Sequence, residues 1–330
     1  MTRVAINGMG RIGRALFKQI QEDRDLEVVA VNDLTPLDEI VYLLRYDTVY
    51  GRFPEVEAGD GHLVVGGRRI PCLKEKDPSR LPWEDLEVEI VLESTGVFLK
   101  GEDLRKHLDA GARHVLLSAP AKDDEVPTVV HGVNRPDGGT EILSCASCTT
   151  NCITPLVEIL DRRLGVRKAL MTTVHAYTAS QRIVDGPSKK RRRGRAGAAN
   201  LVPTSTGAAA AATRALPALE GRFDGVAVRS PVPAGSIADV VVLTGRDTSV
   251  DEINGIFTEE AAGERYRGIL EVTEEELVSS DILRRPRAAI VDLAMTRVVD
   301  GDLVKVMAWY DNEWGYSSQM VREARRIAAG

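Results

Sequence analysis

The stretch "SCASCTTNC", Ser144 to Cys152, brings three of the four cysteines of this 330-residue chain within eight consecutive positions. "EILS" before it is typical of a buried strand end, and "ITPLVEILDRRLG" after it carries apolar residues at helical spacing, which predicts a strand-to-helix turn. A nucleophilic cysteine reacts as its thiolate, and a helix N-terminus favours that anion. Cys148 stands where the predicted helix begins, so it is the candidate nucleophile.

A cysteine in this role is often activated by an imidazole. Of the five histidines, only His175, in "TTVHAYT", lies in an apolar strand flanked by hydroxyl residues. The other four lie in segments typical of surface turns, a helix or sheet edges. A near-neutral imidazole suits the role of general base, so His175 is the candidate partner of Cys148, although a single histidine in such a strand is more often a buried structural residue.

The cysteine cluster also allows two other kinds of site. A structural zinc site needs four ligands, whereas C-x-x-C-x-x-x-C offers three and no second pair stands elsewhere at metal-ligand spacing, so no metal is expected. A dithiol switch is compatible with C-x-x-C. Cys145 at the strand end and Cys152 one helical turn after Cys148 are instead expected to be buried structural thiols.

The overall composition limits the class of protein. Hydrophobic residues at 43% and charged residues at 28% are typical of a globular chain, and no apolar run approaches the ~20 residues of a membrane span. With no signal peptide at the N-terminus and too few cysteines for a disulfide scaffold, we expect a cytoplasmic protein. A net charge of -6 argues against general nucleic-acid binding, with one local exception, the basic run "SKKRRRGR" at Ser188 to Arg195.

The order of the predicted elements indicates two domains. Up to about Cys148, short apolar strands alternate with amphipathic helices, which predicts an α/β fold with a parallel, doubly wound sheet of the Rossmann type. Beyond it, long strand-like runs such as "KALMTTVHAYT" and "SIADVVVLTG" suit an α+β domain with a mixed or antiparallel sheet. We therefore predict a Rossmann domain over 1–147, a catalytic domain over 148–312, and a last helix over about 313–330 that packs back on the first domain.

The first predicted strand is followed by a glycine-rich turn. "INGMGRIGR" contains Gly8-x-Gly10-x-x-Gly13 between the strand "RVAI" and a helix, so the backbone can approach a pyrophosphate that the helix N-terminus attracts. Asp33 follows 20 residues after Gly13, at the end of the second strand. Its carboxylate can accept hydrogen bonds from the adenosine ribose and repel a 2′-phosphate, so the sequence predicts NAD rather than NADP as the cofactor.

Five stretches together resemble one enzyme family. "INGMGRIGR", "ASCTTN", "TTVHAYT", "PTSTGAA" and "WYDNEWGY" stand in the order and at the spacing of the type I phosphorylating glyceraldehyde-3-phosphate dehydrogenases, which depend on NAD. The resemblance covers essentially the whole chain. It implies oxidation of glyceraldehyde 3-phosphate, with NAD and inorganic phosphate, to 1,3-bisphosphoglycerate in glycolysis and gluconeogenesis, through a thiohemiacetal and then a thioester on Cys148.

The resemblance also implies the residues of the site. His175 would polarise the thiol and then take the hydroxyl proton as hydride leaves. Because substrate and phosphate are both anionic, two anion sites are implied. The implied substrate- and phosphate-binding positions are Ser147, Thr149, Thr178, Arg195, Thr206, Gly207 and Arg229. The implied cofactor-binding positions are Gly8, Gly10, Arg11, Ile12, Gly13, Asp33, Lys76, Ser118 and Asn312.

The same resemblance accounts for the basic run. "QRIVDGPSKKRRRGRAGAAN" matches a loop that in this family lies at a subunit interface near a neighbour's cofactor, so a homotetramer is implied. Lys190 and Arg191 add charge beyond the family pattern, whereas Gly186 and Pro187 resemble the NAD-specific members. Three alternatives stay open: an erythrose-4-phosphate dehydrogenase, a nucleic-acid-binding protein that uses the basic run, and a redox sensor that binds NAD without turnover.

Overall fold

The computed structural model describes residues 1–136 and 139–330. The chain divides into two compact units, each with its own large β-sheet. The N-terminal unit comprises Met1–Val129, Pro136–Ala146 and Met320–Gly330, and the C-terminal unit comprises Val130–Arg135 and Ser147–Gln319. Within the N-terminal unit, Arg325 near the chain end pairs with the buried Asp23 at 2.6 Å.

The N-terminal unit is built from short strands and three complete helices. The helices are α1 (Arg11–Gln21), α2 (Leu37–Arg45) and α3 (Gly101–Asp109). The strands are β1 (Thr2–Asn7), β2 (Leu26–Asn32), β3 (Tyr46–Asp47), β4 (Gly51–Arg52), β5 (Val56–Ala58), β6 (His62–Val65), β7 (Arg68–Leu73), β8 (Ile90–Glu93), β9 (His114–Leu117) and β10 (Ile142–Ser144).

The main sheet of this unit is doubly wound. Its order is β10-β9-β8-β1-β2-β7-β6-β5, parallel from β10 to β7 and antiparallel at the β6–β5 edge. The central strand β8 is buried along its whole length because parallel sheets of this kind are covered on both faces. Strand β2 pairs with one edge of β1, and β8 pairs with the other edge. The strand order therefore reverses at β1, and in such sheets the carboxyl ends of the strands border a crevice suited to a ligand.

The C-terminal unit combines long strands with the helix that carries Cys148. The strands are β11 (Val166–Ala176), β12 (Val202–Ser205), β13 (Phe223–Ser230), β14 (Ser236–Thr244), β15 (Leu270–Thr273), β16 (Ala289–Asp292), β17 (Arg297–Val299) and β18 (Leu303–Tyr310). The helices are α4 (Cys148–Leu164), α5 (Ala208–Ala215), α6 (Val250–Ala262) and α7 (Trp314–Ala328), the last of which continues into the N-terminal unit at Met320.

The second sheet is mixed, in the order β12-β13-β11-β14-β18-β16-β15, with β17 paired to β18. The pairs β11–β13 and β15–β16 are parallel and the others antiparallel. Helix α4 packs on one face of this sheet, with Leu156 and Leu160 in a core shared with Val240 and Val306. The predicted fold class, a doubly wound α/β sheet followed by an α+β unit with a mixed sheet, is confirmed.

In the part of the chain that the structure describes, no helix combines the length and the apolar character needed to cross a bilayer. The same residues contain no group of three or more histidine, cysteine or carboxylate side chains that could hold a metal ion.

Candidate active site

Cys148 is the first residue of α4, at the strand-to-helix turn that the sequence predicts. Ser147 caps the helix: its backbone is extended, with φ -113° and ψ 164°, and its Oγ accepts a hydrogen bond from the Thr150 N–H at 3.1 Å. Because α4 is anchored on the sheet by buried residues such as Leu156, its first turn has a fixed position. The thiol therefore stands on a rigid helix end.

His175 contacts this thiol from the neighbouring strand β11. Side chains alternate along the strand, so Thr173 and His175 are buried while Val174 faces outward with 37% of its surface exposed. His175 Nε2 lies 3.4 Å from Cys148 Sγ. The structure thus brings together the two residues that the sequence analysis paired, although they lie 27 positions apart.

Arg229 lies beside His175 because β11 and β13 run parallel with these two residues in register. Arg229 Nη1 lies 2.6 Å from His175 Nδ1 and donates to the Ala176 carbonyl at 3.0 Å. Nδ1 thus lies between a group that can only accept, the Ala176 carbonyl at 2.7 Å, and a group that can only donate, Arg229 Nη1. In the tautomer that donates from Nδ1 to the carbonyl, Nε2 keeps its lone pair toward the thiol. Arg229 Nε is buried and has no hydrogen-bond partner among the described residues.

Burial and the Arg229 charge lower the pKa of His175 to about 3, so the imidazole is neutral at pH 7. Burial also raises the pKa of the Cys148 thiol, and the opposing effects of Arg229 and of the Thr149 hydroxyl and N–H do not outweigh it. The helix N-terminus and the imidazole, considered alone, favour a thiolate. The structure instead places a neutral thiol against a neutral base, so the thiol proton must leave as the sulfur attacks.

Tyr310 connects the helix of the nucleophile to the strand of the histidine. Its hydroxyl lies 2.9 Å from Thr149 Oγ1 and 2.7 Å from Thr173 Oγ1. Burial raises the pKa of Tyr310, so the hydroxyl stays protonated. In the sequence, Tyr310 stands out only as part of the stretch "WYDNEWGY". The signal for its linking role is a tyrosine in an apolar strand, because a buried hydroxyl needs a hydrogen-bond partner.

Thr178, two residues beyond the end of β11, belongs to a hydrogen-bonded group of hydroxyls and a guanidinium, which are donors that suit an anion. Thr178 Oγ1 lies 2.9 Å from Ser180 Oγ, which accepts a hydrogen bond from Arg193 Nη1 at 3.2 Å. Arg193 Nε also donates to Thr204 Oγ1 at 3.0 Å, and the Arg193 charge helps to lower the pKa of His175. Two guanidinium groups, of Arg193 and Arg229, therefore act on the same imidazole.

Arg195, the basic residue that the resemblance implies near Ser147, Thr149, Thr206 and Gly207, is exposed, and its Nε donates to Asp185 Oδ2 at 2.7 Å. The basic run forms a short 3₁₀ turn at Arg191–Gly194, and a run of adjacent arginines carries no periodic signal that distinguishes inward from outward side chains. Lys190, for which the sequence offered no account, donates to Ser205 Oγ at 2.8 Å.

A second set of donors lies where α4 and α5 begin side by side. Thr150 Oγ1 donates to the Ala208 carbonyl at 3.4 Å, which joins the two helix starts. Thr206 Oγ1 accepts from the Ala208 N–H at 3.2 Å, and Gly207, the N-cap of α5, faces open space. With Ser147, these groups form a position that favours an anion, because N–H groups and positive potential converge at helix N-termini.

Asn312 also belongs to the C-terminal unit and is linked to the strand of His175. Its Oδ1 accepts from Ser236 Oγ at 2.9 Å, and Ser236 Oγ in turn accepts from the Ala176 N–H at 3.1 Å. The carboxamide is 5% exposed, so its orientation is fixed by these contacts.

In the N-terminal unit, a cavity of about 400 Å³ lies at the carboxyl ends of β1 and β2. Gly8 has φ 96°, and a Cβ there would lie 2.6 Å from the Thr95 nitrogen; a Cβ on Gly13 would lie 1.9 Å from the Gly8 oxygen. Gly10 faces open space directly before α1. Bare backbone at a helix N-terminus fits the pyrophosphate of a dinucleotide. The residues bordering the cavity include Gly8, Gly10, Asp33, Leu34, Lys76, Val97 and Phe98.

Asp33 holds a fixed negative charge at this cavity. Its Oδ2 accepts from the Met9 N–H at 2.6 Å and its Oδ1 from the Thr35 N–H at 2.9 Å. Burial acts to raise the pKa of Asp33, but these hydrogen bonds and the Arg14 charge together hold it below its usual value. The Thr35 hydroxyl also donates to this carboxylate. A remaining lone pair of the carboxylate can accept from a ribose hydroxyl, and the charge opposes a 2′-phosphate.

Five predicted cofactor positions, Arg11, Ile12, Gly13, Ser118 and Asn312, are not among the described residues that border the cavity. Arg11 Nη1 donates to Asp47 Oδ2 at 2.7 Å, and Ile12 is half-buried in the first turn of α1. The Ser118 N–H donates to the Glu93 carbonyl at 2.9 Å.

Comparison with known proteins agrees with this arrangement. Residues 2–101 match the NAD-binding domain of glyceraldehyde 3-phosphate dehydrogenase, and residues 147–312 match its C-terminal domain. The chain is 48% identical over 324 residues to a glyceraldehyde-3-phosphate dehydrogenase of Streptomyces coelicolor, covering 97% of this chain and 96% of that one. It is 48% identical over 329 residues to those of Haloarcula vallismortis, with 98% of both chains covered, and Mycobacterium tuberculosis, with 97% and 96% covered. The chain therefore belongs to the glyceraldehyde-3-phosphate dehydrogenase family, and it is an NAD-dependent oxidoreductase.

Proposed function

We propose that this chain oxidises glyceraldehyde 3-phosphate to 1,3-bisphosphoglycerate with NAD and inorganic phosphate. The observation that carries the proposal is the 3.4 Å contact between Cys148 Sγ and His175 Nε2 at the start of α4. Sγ attacks the aldehyde carbon while the thiol proton passes by way of Nε2 to the aldehyde oxygen, which gives a thiohemiacetal. NAD, when bound, supplies the acceptor for the hydride that leaves this carbon, and Nε2 takes the hydroxyl proton at the same time. A phosphate oxygen then attacks the resulting thioester, and the sulfur of Cys148 leaves and takes back the proton from Nε2.

The substrate itself strengthens the base. The Arg229 guanidinium lies 2.6 Å from His175 Nδ1, and its charge contributes to the low pKa of the imidazole. A phosphate group paired with Arg229 offsets that charge, so the pKa of His175 rises when the substrate binds. A neutral, weakly basic imidazole in the free chain thus becomes a better proton acceptor when the aldehyde is in place.

The two sets of donors suit the two anions of the reaction. We assign the phosphate of the substrate to Thr178, Arg193 and Arg229, because the buried Arg229 Nε lacks a partner among the described residues and guanidinium groups bind phosphate oxygens in pairs. We assign inorganic phosphate to Ser147 and the start of α5. The second position adjoins the first residue of α4, where the thioester forms.

We also propose that the chain forms a homotetramer. The outer face of the second sheet exposes apolar residues on adjacent strands, including Leu170 at 64% and Val226 at 53%. Ile183 and Leu201, which lie on either side of the basic run, are 89% and 66% exposed. An apolar sheet face of this kind is typical of an interface between subunits. Sedimentation should therefore give four times the chain mass of 35.9 kDa, and Leu170→Glu should reduce it.

A cytoplasmic location is part of the same proposal. All four cysteines, at positions 72, 145, 148 and 152, are free thiols, which suits a reducing compartment. Fractionation of cells that express the chain would test this.

One assay tests the proposed reaction against the alternatives. NAD reduction, followed by absorbance, should require both glyceraldehyde 3-phosphate and phosphate or arsenate. A higher kcat/KM for erythrose 4-phosphate would replace the proposed substrate, and absence of any phosphate-dependent NAD reduction would favour a redox sensor. Nucleic-acid binding that falls steeply with salt would favour a nucleic-acid-binding protein.

Part of the basic run already has partners within the chain, since Lys190 and Arg193 donate hydrogen bonds to the strand Val202–Ser205. This observation speaks against the use of these two side chains for nucleic acid.

A further inference from the structure

A chain of buried, hydrogen-bonded side chains lies beneath the cofactor cavity, and the proposed reaction does not use it. It comprises Trp83, His107, Glu93, Asn7 and Asn32, each 4% exposed or less. Asn7 and Asn32 also border the cavity. A carboxylate and an imidazole with no exposed surface are costly unless each polar atom has a partner, so their position under a ligand cavity points to a role.

The register of the sheet brings three of these residues together. Asn7, Asn32 and Glu93 are the last residues of the adjacent strands β1, β2 and β8, and Asn7 pairs in register with both of the others. The carboxyl ends of such strands border the ligand crevice of a doubly wound sheet. Residues 86 positions apart therefore meet in one layer below the cavity.

Trp83 stands at one end of this chain of side chains and determines which atoms donate and which accept in the half next to it. Its indole Nε1–H can only donate, and it lies 3.0 Å from His107 Nδ1. Nδ1 is therefore the acceptor and the ring proton is on Nε2, which donates to Glu93 Oε2 at 3.2 Å. The tautomer of His107 is set by Trp83.

At the other end of the chain of side chains, the backbone of Glu75 determines which atoms of Asn32 and Asn7 donate and which accept. Its N–H donates to Asn32 Oδ1 at 2.8 Å, so Asn32 Nδ2 donates to Asn7 Oδ1 at 2.7 Å. Asn7 Nδ2 then donates to Glu93 Oε2 at 2.6 Å. Both halves of the chain thus end on one carboxylate, and every hydrogen bond between them has a defined donor.

Glu93 also connects two walls of the cavity. Its Oε2 holds Asn7, which directly precedes the glycine-rich turn, and its Oε1 accepts from both the N–H of Thr95, at 2.8 Å, and the Thr95 hydroxyl. Thr95 borders the cavity, and its nitrogen lies against Gly8. Because the groups around it act as donors, an amide in place of this carboxylate would leave one of them facing another donor.

We propose that Glu93 and His107 are positioning residues for NAD: they hold the glycine-rich turn and the Thr95 loop in the arrangement that binds the cofactor before it arrives. The inference rests on NAD binding by this cavity, which the family match supports, and adds the residues that prepare it. Neither Glu93 nor His107 is among the described residues that border the cavity, and both are fully buried. Their effect on NAD is therefore exerted through Asn7 and Thr95.

The test compares Glu93→Gln with Asp23→Asn in the full chain. Asp23 is a second buried carboxylate of the same unit, paired with Arg325 and placed before β2, away from the carboxyl ends of the strands. We expect Glu93→Gln to raise the Kd for NAD, measured by calorimetry, about tenfold, because only about a tenth of the molecules then hold the binding arrangement. KM for NAD should rise equally with kcat nearly unchanged. Asp23→Asn should lower Tm and leave the Kd unchanged.

The inference would be overturned if Glu93→Gln bound NAD with an unaltered Kd while its Tm fell as that of Asp23→Asn does. His107→Gln, which keeps an N–H donor for Glu93, should bind NAD more tightly than His107→Leu; equal Kd values would remove His107 from the arrangement. The comparison of His107→Gln with His107→Leu also tests the inference if Glu93→Gln does not fold. Failure of the unmodified chain to bind NAD would overturn the proposed function itself, a result distinct from either of these.

Discussion

His175→Asn tests whether the buried imidazole is neutral in the folded chain. His175 is 5% exposed and lies 2.6 Å from Arg229 Nη1, and burial together with that charge lowers its pKa from 6.5 to about 3. Unfolding returns the ring to water and to its ordinary pKa. Between pH 6.5 and about 3 the unfolded chain therefore binds more protons than the folded chain, so this contribution to stability is present above pH 6.5 and is lost as the pH falls.

The size of the effect follows from the two pKa values. A pH of 5 is about 1.5 units below the ordinary pKa of the unfolded imidazole, and each unit corresponds to about 1.4 kcal/mol. The free energy of unfolding should therefore be about 2 kcal/mol lower at pH 5 than above pH 7 because of this one residue. For a unit of this size, that corresponds to a Tm lower by ~4–8 °C.

The assay is urea denaturation at pH 8, 7, 6 and 5, at one protein concentration, for the unmodified chain and His175→Asn. The other titrating groups are common to both, so the difference between the two pH slopes isolates His175. The variant should lose about 2 kcal/mol less between pH 7 and pH 5. Ile153→Val, at a fully buried position of the same unit, should lower stability by about 1 kcal/mol and keep the unmodified slope. Parallel slopes for His175→Asn and the unmodified chain would refute the neutral, buried imidazole.

Three further predictions concern the chemistry and the cofactor. Cys148→Ser should abolish aldehyde-dependent reduction of NAD and keep NAD binding in calorimetry, whereas Cys152→Ser, at a fully buried position, should retain substantial turnover; similar losses in both would contradict a single nucleophile. Arg229→Met should lower kcat/KM for glyceraldehyde 3-phosphate by about 10²-fold through lost charge-assisted hydrogen bonds, and should raise the pKa of His175, followed by NMR, because a nearby positive charge is removed. An unchanged kcat/KM would place the substrate phosphate elsewhere. Asp33→Ala should raise kcat/KM for NADP and lower it for NAD, and equal use of both cofactors by the unmodified chain would show that Asp33 does not discriminate between them.

The sequence alone was sufficient to predict the main elements and the contact between Cys148 and His175. The glycine spacing at Gly8 to Gly13, the apolar strands and the helical run after Cys148 are local patterns, and they predicted the doubly wound sheet and the strand-to-helix turn that the structure has. Residue type predicted the pair Cys148 and His175, since the chain offers one thiol at a predicted helix start and one histidine in an apolar strand. Local patterns succeed here because hydrogen bonds and side-chain periodicity within one strand or turn decide them.

Tertiary structure decided what depends on residues far apart in the sequence. Burial and Arg229, 54 positions away, make His175 neutral, and burial raises the pKa of the Cys148 thiol where the helix start alone favours the anion. The fold also places Arg193, rather than a residue that the sequence singled out, against Ser180 and Thr204, and brings Glu93 to Asn7. Sequence spacing carries no information on these points, because the energy of a charge depends on its exclusion from water and on the groups within a few ångströms of it, and only the packed fold sets both.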